Sequence, residues 1–165
     1  MVEAVRAELE AAQAAGTFGT LSWFPVRSYA DWDLDLATAD YEKIYVDVVL
    51  VSNGITIERE TQTGVRYTVP VDIGIRKKLG PADEALGVTP DRSVLDNAVI
   101  DSLVDLTEHI AEYFPTPSGR LATYTNAVVE GSPDVRTVAG RDHLRNRQFT
   151  GVVRVTHRVD KELTP

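Results

Sequence analysis

The chain has 165 residues, 17 Lys+Arg against 25 Asp+Glu, a formal net charge of -8 and no cysteine. The missing cysteine excludes a disulfide framework, a cysteine-ligated metal centre and a thiol nucleophile. A hydrophobic content of 43% is that of a globular chain rather than a disordered acidic tail, and one domain over residues 1–165 is predicted.

In chain order, Val2, Val5, Leu9 and Ala12 fall at helical spacing before Gly16, which predicts a short amphipathic helix with a thin, alanine-rich stripe. Its Glu3, Glu8 and Glu10, with no basic start followed by an apolar run, set it apart from a signal peptide. Residues 17–40 read as an irregular connector with one short strand near Val26–Tyr29. Lys43–Val51 alternates Ile44, Val46, Val48 and Leu50 with Tyr45, Asp47, Val49 and Val51, as a strand buried on one face and half-buried on the other does. The cleanest alternation sets Tyr67, Val69, Val71, Ile73 and Ile75 against Thr68, Pro70, Asp72, Gly74 and Arg76. It predicts a strand with one core face, and Pro70, which has no ladder donor, points to a local sheet edge. Between these strands, Ser52–Arg66 carries turn signals at Asn53-Gly54 and Gly64 around a short extended piece, Ile55–Ile57. The segment is either a long projecting hairpin or a flexible loop, and in both cases a candidate for partner contact.

After the Gly/Pro-rich Gly80–Pro90, Ser93 and Asp96 resemble a capping box. Leu95, Val99, Leu103, Leu106, Ile110 and Tyr113/Phe114 then recur at helical intervals until Pro115 stops the helix. Leu121–Glu130 reads as a weaker strand, Gly131–Gln148 as a polar stretch, and Phe149–Val159 as a last strand with Phe149, Gly151, Val153, Val155, His157 and Val159 on one face. The order predicts an α+β fold: a mixed, largely antiparallel four-stranded sheet covered on one face by a long central helix plus a short N-terminal helix.

Chemical motifs are sparse. Asp31, Asp33 and Asp35 alternate as oxygen ligands for a hard cation would, but Leu36 stands where an EF-hand loop needs glycine, and Leu34 and Leu36 alternate like core residues. A solvated acidic face is the better reading. His109, His143 and His157 stand in no metal-ligand spacing, and there is no nucleophile elbow, Walker-type loop or dinucleotide fingerprint. No catalytic residue, metal site or cofactor is assigned, and the chain is not expected to be an enzyme. No stretch approaches the roughly 20 apolar residues of a membrane span, so no membrane partner is expected.

The charge is divided along the chain. Residues 1–115 hold 9 bases and 20 acids (net -11), residues 116–165 hold 8 and 5 (net +3). Either folding mixes the two sets, or an acidic and a basic patch survive and pair copies of the chain. Arg136, Arg141, Arg145, Arg147, Arg154 and Arg158 use arginine throughout, the residue suited to bidentate pairing with carboxylates at interfaces. The acidity of the remainder opposes binding a polyanion. Asp31, Asp33 and Asp35, with Arg141, Arg145, Arg147 and Arg154, are therefore the candidate subunit or partner interface.

Four segments carry a family resemblance: Arg27-Ser-Tyr29 before the Asp-rich alternation, Tyr67–Lys78 with its Val-Asp-Ile-Gly-Ile-Arg-Lys-Lys core, Ile100–Ala111, and Asp142–Arg158 with His-Leu-Arg leading to Phe-Thr. Together they resemble the tail terminators and related head-to-tail neck proteins of long-tailed bacteriophages, over most of the chain. The sequence departs from that pattern in the insertion-like Gly80–Arg92 and at Gly151, where serine is more familiar. The resemblance implies a structural virion protein that forms a ring, six copies in the terminators, on the head-proximal end of the tail tube. Such a ring halts tube growth and presents the head-joining surface. Implied partners are further copies of the chain, the tail tube protein and a head completion or connector protein. DNA would pass through the ring lumen without sequence-specific recognition, and the location would be the virion neck, with host cytoplasm during assembly. Other neck components, and a soluble binding module or small enzyme with an acidic cleft, are the alternatives.

Overall fold

The structure, a computed structural model, describes residues 1–29, 43–51, 54–80, 97–137 and 148–162. The candidate residues Asp31, Asp33, Asp35, Arg141, Arg145 and Arg147, the Ser93/Asp96 capping pattern and His143 lie outside the described residues.

Helix α1 (Val2–Ala14) buries Val2, Ala4, Val5, Leu9 and Ala12. It ends at Gly16, whose φ of 77° is the left-handed conformation that glycine adopts without a Cβ clash. The Gly16 amide donates to the Gln13 carbonyl and the Thr17 amide to the Ala12 carbonyl, a Schellman pair that satisfies two terminal acceptors. Strands β1 (Arg27–Ser28), β2 (Tyr45–Leu50), β3 (Thr56–Arg59) and β4 (Gly64–Lys78) follow. Helix α2 (Asn97–Tyr113), a single 3-10 turn (Pro117–Gly119), and strands β5 (Ala127–Val129), β6 (Asp134–Thr137) and β7 (Gln148–Glu162) complete the described elements.

These strands form one sheet in the order β1-β2-β4-β7-β5, with β3 also on β4 and β6 also on β7. Only β1 and β2 run parallel; the other pairings are antiparallel. The α+β class, the mixed and largely antiparallel sheet and the helices on one face are as the sequence predicts. The strand number is not: seven strands are present among the described residues rather than four. Beyond those four, β1 lies within the expected short strand Val26–Tyr29 and β3 overlaps the expected extended piece Ile55–Ile57, whereas β6 is new; each has two to four residues and exists because a long neighbour offers its edge. The expected strand Leu121–Glu130 contracts to β5, because Leu121 turns into the core and the chain takes two successive turns before Ala127. The polar stretch after it contains β6.

The backbone of the sheet is the β4–β7 ladder, paired without a break from Gly64↔Glu162 to Lys78↔Gln148. Its core face carries Val71, Ile73, Ile75, Phe149, Val153 and Val155, joined by Val46 and Val48 from β2, and all are fully buried. Leu103, Leu106, Ile110 and Phe114 of the α2 stripe close over them, and α1 covers the β2 side of the same core. Pro70 is not on an outer strand. Its carbonyl accepts from the Val51 amide at the end of the β2 ladder, so its missing donor also faces that side, in the gap between β2 and β3. The proline marks where β4 changes neighbour rather than where the sheet ends.

Gly151 is where the helix layer comes closest to the sheet. A Cβ there would lie 2.6 Å from Thr107 Oγ1 and 3.1 Å from Thr107 Cγ2. Thr107 is itself buried and donates its hydroxyl to the Leu103 carbonyl. Glycine at this position thus has a packing reason in this chain. Among the described residues, no helix is long and apolar enough to cross a membrane.

Candidate functional site

The strand face away from the helices is polar, and several of its charges are matched within the chain. Arg154 stands directly opposite Asp72 in the β4–β7 ladder and donates from Nε and Nη2 to the two carboxylate oxygens, at 2.7 and 2.8 Å. Arg154, one of the candidate interface arginines, therefore spends its fork on its own chain. Arg66 pairs with Asp160 at 2.9 Å and with Glu60 at 2.6 Å. For these described residues, folding mixes the acidic and basic parts of the sequence.

Asp47 is the centre of a larger cluster on this face. It is fully buried and accepts from Arg76 at 2.7 and 3.0 Å and from Arg27 at 2.7 and 3.1 Å. A carboxylate at this depth persists because donors replace the water it has lost. The Arg27 guanidinium also lies 4.7 Å from the centre of the Tyr45 ring, Tyr45 stacks on Phe24 at 4.4 Å, and the Lys43 ammonium sits 5.0 Å above Phe24. Asp47 and Arg76 were legible as the polar positions of two strands. That they meet depends on the β2–β4 register, which sets Asp47 opposite Gly74, diagonal to Arg76.

Among the described residues, the opposite, core face is not covered along its whole length. β4 and β7 have 15 residues each, about 50 Å of strand, whereas the 17 residues of α2 span only about 25 Å. Beyond the helices the core face continues as an apolar groove of about 640 Å³, walled by Leu50, Ile57, Tyr67, Val69 and Val159. The Ser52–Arg66 segment resolves here as a hairpin in its described part: β3 pairs with β4 from Thr56↔Thr68 to Arg59↔Val65, and the Glu60 amide donates to the Gly64 carbonyl at the turn. Every β3 residue is exposed, and Ile55 and Ile57 show 47% and 62% of their surface. Tyr29 reaches the same groove with 65% of its surface exposed, on a backbone of φ 57° that costs a non-glycine residue about 1–2 kcal/mol.

The two described histidines, His109 and His157, stand in different settings. His109 is exposed on α2, and its ring meets Phe18 edge-on. His157 points into the core, 1% exposed, edge-on to Phe114. Burial lowers its pKa from the ordinary 6.5 to about 4, so the ring is neutral at pH 7. The chain matches no protein-family model, and no curated protein is similar to it in sequence.

Proposed function

We propose that the chain is a non-enzymatic structural protein of a long-tailed phage neck, a ring-forming subunit that caps the tail tube and offers the surface to which the head joins. One structural observation supports this reading. The sheet overhangs its helices and ends in a projecting hairpin whose apolar side chains, Ile55 and Ile57, stand exposed beside an apolar groove and a backbone-strained, exposed Tyr29. Apolar surface of this kind on a monomer marks a surface used in association, and strain held at an exposed residue marks a site maintained for contact. The second support is the resemblance carried by Val71–Lys78 and Asp142–Arg158. A ring joins two different patches of each subunit, so the hairpin end of one copy would meet another surface of the next.

The test is mass measurement in solution with tail tube protein present, together with imaging of particle necks. A ring-sized species on tube ends is the expected result. A chain that stays monomeric with the tube protein, and is missing from particles, overturns the reading.

A further inference from the structure

A second cavity, remote from the hairpin groove, is built quite differently. It has a volume of about 250 Å³ and lies between the end of α2, the following turn and β5. Phe114, Leu121 and Ala127 supply apolar wall, Thr125 and Arg120 supply polar rim, and His157 forms part of the interior. Two features of it are unexplained by folding. The Nε2 atom of His157 is buried and has no hydrogen-bond partner. A buried ring nitrogen left in that state carries an uncompensated desolvation cost, so a native chain normally supplies a partner from protein, water or ligand. Arg120 is exposed and pairs with no carboxylate among the described residues, although the chain as a whole carries 25 acids. No aspartate or glutamate among the described residues lines the cavity.

The geometry points to a binding site for a small carboxylate: the carboxyl group at Arg120 and within reach of His157, a short apolar body against Phe114, Leu121 and Ala127. The chemistry follows from the parts. A guanidinium fork favours a planar anion. A neutral imidazole offers one N–H, which a carboxylate oxygen accepts without placing a second charge in the wall. The volume admits a short chain only. The carboxylate has two sources, a free short-chain acid or the end of a polypeptide.

The experiment is NMR titration of the full chain, following the His157 ring resonances. Sodium butyrate should shift them saturably in the millimolar range, 1-butanol should not, and Arg120→Gln should weaken butyrate about tenfold while leaving the unfolding midpoint unchanged. Arg120 is exposed, so the variant tests binding rather than folding. Should butyrate leave the ring unmoved while a short peptide with a free terminal carboxylate shifts it and the amidated peptide does not, the site is a carboxylate site that takes a polypeptide end. Silence with both probes, equal shifts with butanol, or unchanged affinity in Arg120→Gln overturns the proposal. The proposal stands or falls separately from the ring reading, which no result of this titration alters.

Discussion

Arg154 and Asp72 face each other across the β4–β7 ladder and share two hydrogen bonds, so a base from the last strand and an acid from the first long one neutralise each other within the subunit. Both are only partly exposed, at 33% and 14% of their side chains. A directly opposed pair of this kind contributes about 0.5–1 kcal/mol. Arg154→Gln and Asp72→Asn should each destabilise by about 1 kcal/mol in urea unfolding, and the double variant by less than the sum of the two. Additive effects would show that the pair contributes nothing.

Gly151 faces Thr107 with no room for a Cβ. Gly151→Ala should cost about 1–3 kcal/mol of stability by forcing α2 off β7. Thr107→Ala in the same chain should recover part of that loss, because it removes the two nearest atoms that the new methyl meets and leaves Phe149 Cε1 as the nearest, at 3.3 Å. A Gly151→Ala chain as stable as the parent would contradict the close approach.

His157 makes stability depend on pH. Its folded pKa of about 4 lies below the ordinary 6.5, so the unfolded chain binds the proton more readily. The contribution of the neutral ring is complete above about pH 6.5 and is lost as pH falls toward 4, at up to about 1.4 kcal/mol per pH unit. Urea unfolding at several pH values should show this loss for the parent chain and not for His157→Gln. Parallel curves for the two would remove His157 as the cause.

Tyr113 ties the two helices together. Its hydroxyl lies 2.6 Å from a Glu8 carboxylate oxygen and 2.7 Å from the Ser118 carbonyl, and burial with the Glu8 charge holds its pKa well above the usual phenol range. Tyr113→Phe keeps the ring packing on Phe18 and removes the hydroxyl, and should cost about 0.5–1.5 kcal/mol in thermal or urea unfolding.

On the proposed ring reading, variants of the exposed hairpin separate folding from assembly. Ile57→Asp should change stability by no more than about 0.5 kcal/mol, since Ile57 is 62% exposed, yet abolish ring formation on tail tubes. The same readout applies to replacing Arg145 and Arg147 together by glutamate. Normal assembly of either variant removes that surface from the subunit contact.

The sequence alone determined the elements whose side chains repeat over several turns or pleats: α1, the α2 stripe, β2, β4 and β7, and with them the fold class and the core. Those patterns are legible because one face of each element is buried against a single layer, and burial leaves a period of 3.6 or 2 in the residues. Tertiary structure decided what depends on a neighbour. The sequence marked extended pieces at Val26–Tyr29, Ile55–Ile57 and Leu121–Glu130, but β6, and the two-to-four-residue bounds of β1, β3 and β5, are set by the edges of longer strands. The Asp47–Arg76 and Asp72–Arg154 pairs required a register, and Arg154, read from the sequence as a residue for another subunit, found its carboxylate 82 positions earlier in its own chain. Charge division along a sequence gives no surface patch by itself, because antiparallel pairing brings distant segments together. The uncovered groove was equally invisible in the sequence: it arises from the difference in length between a strand that rises about 3.3 Å per residue and a helix that rises 1.5 Å, and so exists only once the two are packed.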